Sequence, residues 1–176
     1  MAKTKEEYVL EKNKYAYELY KNHKFFRKAR AIICDGDKLL MIRITYKDGQ
    51  IHYIFPGGGV DDGETPKMAA MREAYEEYGV ITKPIKMLGR QYYSCKIRYN
   101  GIEFKSNRID NFYILEYQSV DENSPFGISG EFAADDRVYE KVALSIDDIK
   151  RLKPSDLNDM NKKNYDRLLS YMESLK

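Results

Sequence analysis

Histidine and cysteine are scarce in this chain, two of each in 176 residues, and tryptophan is absent. Cys34 and Cys95 allow one disulfide at most and match no zinc-ligand spacing, so the sequence predicts buried thiols in a reducing compartment. Neither His23 nor His52 pairs with a serine or cysteine in a pattern that suggests a nucleophile, and both read as structural. No window approaches the ~20 apolar residues of a membrane helix. The start, Met-Ala-Lys-Thr-Lys-Glu-Glu, lacks the apolar stretch of a secretory signal. Internal repeats and low-complexity segments are missing too. Thirty basic residues face 28 acidic ones, and a net charge of +2 selects no polyionic partner. These absences predict a cytoplasmic protein with no membrane partner.

What is present suffices for a core. Hydrophobic residues make up 43% of the chain, and a domain of ~150 residues buries roughly 70% of its unfolded surface. The length favours one domain with an appendage over two domains. The only linker precedes Phe26, so residues 1–25 read as an N-terminal helical extension and 26–176 as the main domain. Charge is unevenly spread. Residues 57–80 hold six acids and two bases, a net −4, so the remainder of this +2 chain carries +6. An acidic island in a basic protein suits a place where cations and polyanions meet.

Periodicity predicts a charged, Tyr-rich helix over 4–24. Ala31–Cys34 and Leu39–Ile42 are apolar runs joined by Asp35-Gly36-Asp37, a hairpin signal, and a further strand follows at His52–Phe55. Thr65 and Pro66 open a helix that Gly79 closes, over 66–78. Gln91–Tyr99 and Ile102–Tyr117 read as long strands joined by Asn100-Gly101. Residues 121–137 read as an irregular loop and Val138–Leu144 as a strand. Ser145 starts a short helix, and Pro154-Ser155 precedes a last helix to about residue 174. The fold class is therefore α/β, a mixed sheet with helices on both faces.

Chemistry concentrates on the helix over 66–78. With Met68 at zero and a step of ~100°, Met71, Ala74, Tyr75 and Tyr78 gather between ~240° and ~340°, an apolar face. Glu73, Glu76 and Glu77 fall between ~80° and ~180°, nearly opposite. Like charges so placed destabilise a helix by a few tenths of a kcal/mol, so they call for a counter-ion. Pro56-Gly57-Gly58-Gly59 precedes them, a loop whose backbone can approach a ligand closely. Arg72, beside Glu73, can hold that carboxylate by two hydrogen bonds. Such oxygen-rich clusters suit Mg2+ or Mn2+, which can clamp a diphosphate and activate a water.

Gly58, Glu64 and the run Arg72-Glu73-Ala74-Tyr75-Glu76-Glu77-Tyr78-Gly79-Val80, at these spacings, resemble the box of the Nudix hydrolase family. Ala74 fills an apolar slot that is usually larger, and Lys67 puts a positive charge on a first turn that is often acidic; neither is a ligand position. The resemblance implies an α/β/α sandwich and hydrolysis of a nucleoside diphosphate linked to another moiety, with Mg2+ or Mn2+. It implies Glu73, Glu76 and Glu77 as metal ligands, with a carbonyl of Gly58 or Gly59 completing a shell. It further implies Glu73 as base, Arg72 as its orienting partner and Glu64 as support. A late-loop glutamate serves some members as base or ligand, which makes Glu131 a candidate.

Outside the box, Tyr92, Lys96 and Arg98 share one face of their strand and could stack a base and pair with phosphate. Arg43 and Arg108 are similar strand-borne cations, and Gly57 and Gly58 would admit the phosphates. Lys21–Arg30 is basic but short, which argues against nucleic acid as partner and for steering of small polyanions. The competing function is a non-catalytic nucleotide-binding module on the same fold. The intact glutamates favour the enzyme. A homodimer and a monomer both stay open, because the Tyr-bearing N-terminal helix can cover its own domain or a partner subunit.

Overall fold

A computed structural model describes residues 4–124 and 137–175. Helix α1 (Lys5–Lys21) is opened by a reciprocal cap, Thr4 accepting from Glu7 N and Glu7 accepting from Thr4 N. Strands β1 (Phe26–Asp35) and β2 (Lys38–Thr45) form the hairpin across Gly36, and β3 (Ile51–Ile54) follows. Helix α2 (Pro66–Glu73) starts on the Thr65 cap. The chain then runs through β4 (Val80–Tyr99), β5 (Ile102–Val120), β6 (Val138–Ser145), α3 (Ile146–Arg151) and α4 (Lys162–Glu173). Asn100 and Gly101 take φ of 47° and 78°, as a tight hairpin turn of matching twist requires. No helix among the described residues is long and apolar enough to cross a membrane.

Four local expectations need correction. The α-helix does not run to residue 78: from Ala74 to Tyr78 it widens into a π turn, closed by left-handed Gly79. Strand β4 begins at Val80, eleven residues early, because register shifts near Ile81, Pro84 and Met87 erase the alternation that marks a strand. The last helix starts on its Asn161 cap, since Pro154–Asp156 forms a separate 3-10 turn. Cys34 is buried but Cys95 is exposed, out along β4 towards the hairpin end. Of the expected loop, only residues 121–124 and 137 are described.

The sheet runs β3-β2-β1-β5-β4, with β6 on β2; β1 and β5 are parallel and the other pairs antiparallel. Alternation sorts it into two cores. Ala29, Ala31, Ile33, Leu40 and Ile42 pack with Ala69, Ala70 and Ala74 of α2 and its π turn. Ile32, Leu39, Met41, Phe112 and Ile114 pack with Ile149 of α3 and Leu168 and Met172 of α4. This is the α/β/α sandwich. Helix α1 rests on the β4–β5 hairpin, with Tyr17 and Tyr20 against Phe104 at ring separations of 5.4 and 5.1 Å. Asn13 adds a hydrogen bond to Arg98 O.

One strand edge positions the site. Beyond its short pairing with β2, β1 takes the glycine loop as a neighbour: Ala31 N donates to Pro56 O, Ala29 N to Gly58 O, and Val60 N to Arg27 O. The approach to that loop is held by Asn158, whose side-chain oxygen accepts from Phe55 N while its own N–H donates to Tyr53 O. Phe55 is fully buried, so loss of that acceptor leaves an unpaired amide. Asn158→Ala should therefore cost about 1–3 kcal/mol, and Asn158→Asp, which keeps an acceptor, should recover most of it. Urea unfolding measures both; an alanine variant as stable as the parent would contradict this anchoring role.

Candidate active site

The glycine loop and α2 meet at van der Waals limits. A Cβ on Gly57 would lie 2.2 Å from Ala29 O, and one on Gly58 would lie 2.3 Å from Glu73 Oε1. Gly59 has only the Phe26 ring at 3.9 Å. Two of the three glycines are thus required by close approach. The loop's polar atoms are engaged as well. Gly57 N donates to Glu77 Oε2 at 2.8 Å, and Gly57 O accepts from Arg30 Nη1 at 3.2 Å.

Arg72 is the hub. Its Nε and Nη2 grip the two oxygens of Glu64 at 2.9 and 3.0 Å. Its Nη1 donates to Glu73 Oε1 at 2.9 Å and to Glu76 Oε2 at 3.0 Å, and Nη2 also donates to Gly59 O at 2.9 Å. Each of the five guanidinium N–H groups has an acceptor. The two-bond grip goes to Glu64; Glu73 receives one bond, because the parallel fork already faces the loop residue that precedes the helix. Glu64 Oε2 in turn accepts from Asp61 N. Arg72 holds the Glu64 carboxyl below its ordinary pKa, and Glu64 does most to raise that of Arg72.

The three helix carboxylates have different surroundings. Glu73 is buried, Glu76 is half exposed, and Glu77 turns inward to the glycine loop. Burial raises the pKa of Glu73; Arg72 opposes the rise and Glu76 adds to it. Burial pushes Glu77 up to about 7, with the Gly57 N–H opposing and Glu73 adding. The π turn is tied down by Lys141 Nζ donating to Tyr78 O at 2.7 Å and by Tyr78 OH donating to Val142 O.

No group of three or more His, Cys, Asp or Glu among the described residues is gathered tightly enough to hold a metal ion. The donor set nevertheless fits one. Burial raises the pKa of both Glu73 and Glu77 despite nearby cations, and Arg72 Nη1 bridges Glu73 and Glu76 as a cation would. Oxygen-only ligands of this kind suit a hard divalent ion. The Gly58 carbonyl accepts from Ala29 N and has a second lone pair to offer.

Arg43, Lys96 and Arg98 lie apart from this hub. Arg43 pairs with Glu140 on the β2–β6 ladder. Lys96 and Arg98 sit towards the hairpin end, 3.2 and 3.9 Å from Glu103. Tyr92 lines a groove with Val60, Asp61 and Gly63 beside the glycine loop and packs its ring on Phe25. Glu131 lies outside the described residues. Sequence reasoning missed Arg30 and Asp110 as site residues. Arg30 joins Gly57 O to Asp110, which is 1% exposed, and Arg108 reaches the same carboxylate at 2.7 Å. Charges at alternate positions of an otherwise apolar strand, Lys28 and Arg30 before Ile32, were the available signal.

Comparison with known proteins agrees with the geometry. The family model described as NUDIX domain matches residues 24–167. An RNA pyrophosphohydrolase of Vibrio vulnificus (strain YJ016) is 52% identical over 40 residues, 23% of this chain and 23% of that protein. One from Aeromonas hydrophila is 42% identical over 57 residues, 32% of this chain and 31% of its own. The chain thus matches under a third of the length of these curated relatives. Among solved structures, a NUDIX hydrolase from Nitrosomonas europaea superimposes with a TM-score of 0.59 at 20% identity, covering 87% of this chain and 92% of that one. An ADP compounds hydrolase gives 0.53 at 18% identity, over 84% and 73%. At such identities the likeness is one of fold.

The packing of the loop against Glu73 makes a differential prediction. Gly58→Ala should displace the Glu73 carboxylate and cost at least 1 kcal/mol, within the usual ~0.5–3 kcal/mol range. Gly59→Ala, with open space beside it, should stay within about 0.5 kcal/mol of the parent. Thermal melts of the pair decide it. Equal losses would show that close approach is not what selects glycine at 58.

Proposed function

This chain belongs to the Nudix family, and on that premise we propose that it hydrolyses a pyrophosphate bond in a nucleoside diphosphate linked to another moiety, with Mg2+ or Mn2+. The observation that carries the reading is the pair of carboxyls, buried Glu73 and inward-turned Glu77, against a glycine loop with no room for a Cβ at Gly57 or Gly58. Glu73, Glu76 and Glu77, with the Gly58 carbonyl, would hold the cation. When bound there, it supplies neutralisation of phosphate oxygens and acidification of an attacking water.

The chain's own residues do the rest. A phosphoanhydride resists attack because its oxygens are negative, so catalysis consists of positioning and charge neutralisation. Gly57 and Gly58 pack the loop against β1 and Glu73, and Gly59, with open space beside it, leaves the phosphates room at the backbone. Arg72 fixes Glu73 in one orientation, and burial makes Glu73 a stronger base than an exposed carboxylate. Glu64 fixes Arg72 in turn. Arg30 adds positive charge at the loop's far side. The family match over 24–167 supports reading residues 1–25 as an extension and 26–176 as the hydrolase unit; a cytoplasmic setting accords with that reading.

Turnover of any pyrophosphate substrate should vanish in excess chelator and return with Mg2+ or Mn2+. Glu77→Gln keeps an acceptor for Gly57 N–H but removes a charge that burial already disfavours. Its metal-free stability should hold or rise, while turnover should fall at least tenfold, about 1.4 kcal/mol in the barrier. Phosphate-release assays with melting curves measure both. Parental turnover with unchanged metal dependence would contradict the ligand role. Nucleotide binding without hydrolysis under all metal conditions would point instead to a non-catalytic module.

A further inference from the structure

A cavity of about 280 Å3 lies between α1 and the sheet, lined among others by Val9, Tyr15, Phe26, Tyr93, Lys28 and Arg108. Three aromatic rings line it: Tyr15 meets Phe26 edge to face at 5.8 Å, and the Arg108 guanidinium lies 4.1 Å from the Tyr93 ring centre. Its charge is unbalanced. Arg30 and Arg108 share one buried carboxylate, Asp110, at 3.2 and 2.7 Å. Lys28 stands beside them with its ammonium 5.7 Å from the Phe26 ring centre and has no carboxylate within ion-pair distance among the described residues. The charges that face it are Arg30, Arg108 and Lys12, which repel, and Asp110 and Glu77, which attract. Burial and these cations press its pKa down to about 8, which still leaves it charged at neutral pH.

Arg30, Arg108 and Lys28 surround Asp110, and Glu77 offsets part of their charge from the glycine-loop side, so an anion would complete the cleft. The cleft adjoins the glycine loop, since Arg30 holds Gly57 O and Lys28 pairs with Gly59 through the backbone. A diphosphate diester carries only the two charges that the glutamate site would already engage. A 5′-triphosphate carries further negative charge, and it brings a base to an aromatic wall able to stack it. The roof of the cavity is α1, which precedes the residues matched by the family model.

We propose that Lys28, Arg30 and Arg108 bind a third phosphoryl group of the substrate, with its base in the cavity under α1, so that the chain selects 5′-triphosphates over nucleoside diphosphate sugars. This rests on the reading of the glycine loop as the place where the substrate's diphosphate lies.

The test is equilibrium binding in excess chelator, of a nonhydrolysable nucleoside triphosphate analogue and of ADP-ribose, to the parent, Lys28→Met and Arg108→Gln. The parent should bind the triphosphate at least tenfold more tightly. Each variant should lose tenfold or more for the triphosphate and no more than threefold for ADP-ribose. Lys28→Met should melt at or above the parent's temperature, because it removes a repelled buried charge; if either variant fails to fold, the other decides. No preference in the parent, or equal losses for both ligands, would overturn the proposal. A 5′-triphosphorylated oligoribonucleotide is the further arm: tighter binding than the mononucleotide assigns the site to an RNA end, weaker binding to free nucleotides. Because no turnover is read, an inactive protein that keeps this pattern would refute hydrolysis alone. An active one that lacks it would refute the third-phosphate site alone.

Discussion

Everything at this site hangs on one guanidinium. Arg72 joins Glu64 from the loop, Glu73 and Glu76 from the helix and Gly59 from the glycine turn, with all five of its N–H groups engaged. Charge-assisted bonds of this kind are roughly twice as strong as neutral ones, and the planar fork adds direction. An ammonium has three donors and no plane, so it cannot satisfy the same acceptors. The hub also answers an electrostatic problem. Four acidic residues crowd one end of a helix and its approach, and without a central cation their repulsion would spread them.

The hub works because the backbone around it is packed without slack. Ala69, Ala70 and Ala74 join Ala29 and Ala31 in one buried cluster, so small side chains bring α2 close to β1. The glycine loop then fits between β1 and Glu73, with Gly57 and Gly58 having no room for a Cβ. Ala74, the small residue in a slot that is usually larger, belongs to this packing. The π turn follows from it: by widening after Glu73 it lets Glu77 face the loop while Tyr78 is buried in the same core. Wide turns of this sort recur at functional sites. Here the wide turn delivers a carboxylate to a backbone N–H.

The local grammar of the chain was readable: the Thr65-Pro66 start, Gly79 stop, Asn-Gly hairpin and glutamate spacing all have short-range causes. Three things were not. The π turn has no signature in helical periodicity, since 66–78 fits a 100° step well enough. The first half of β4 hides its alternation behind register shifts and Pro84. The cation cluster is assembled by the parallel pairing of β1 with β5, which sets Lys28 opposite Asp110 and Phe26 opposite Arg108 across some 80 positions of sequence. No window along the chain contains that neighbourhood. The same holds for the direction of the Arg72 fork: adjacency in sequence suggested Glu73, and geometry gave the fork to Glu64.

The central claim is that Arg72 and Glu64 act as one unit that orients Glu73. A double-mutant cycle of Arg72→Lys and Glu64→Gln, read on kcat at saturating substrate and cation with melting curves alongside, tests it most directly. Each single variant should lose tenfold or more, and the double variant should lose little beyond the worse single, because the unit is already broken. Losses that multiply would show that the two residues act independently, and would contradict the account.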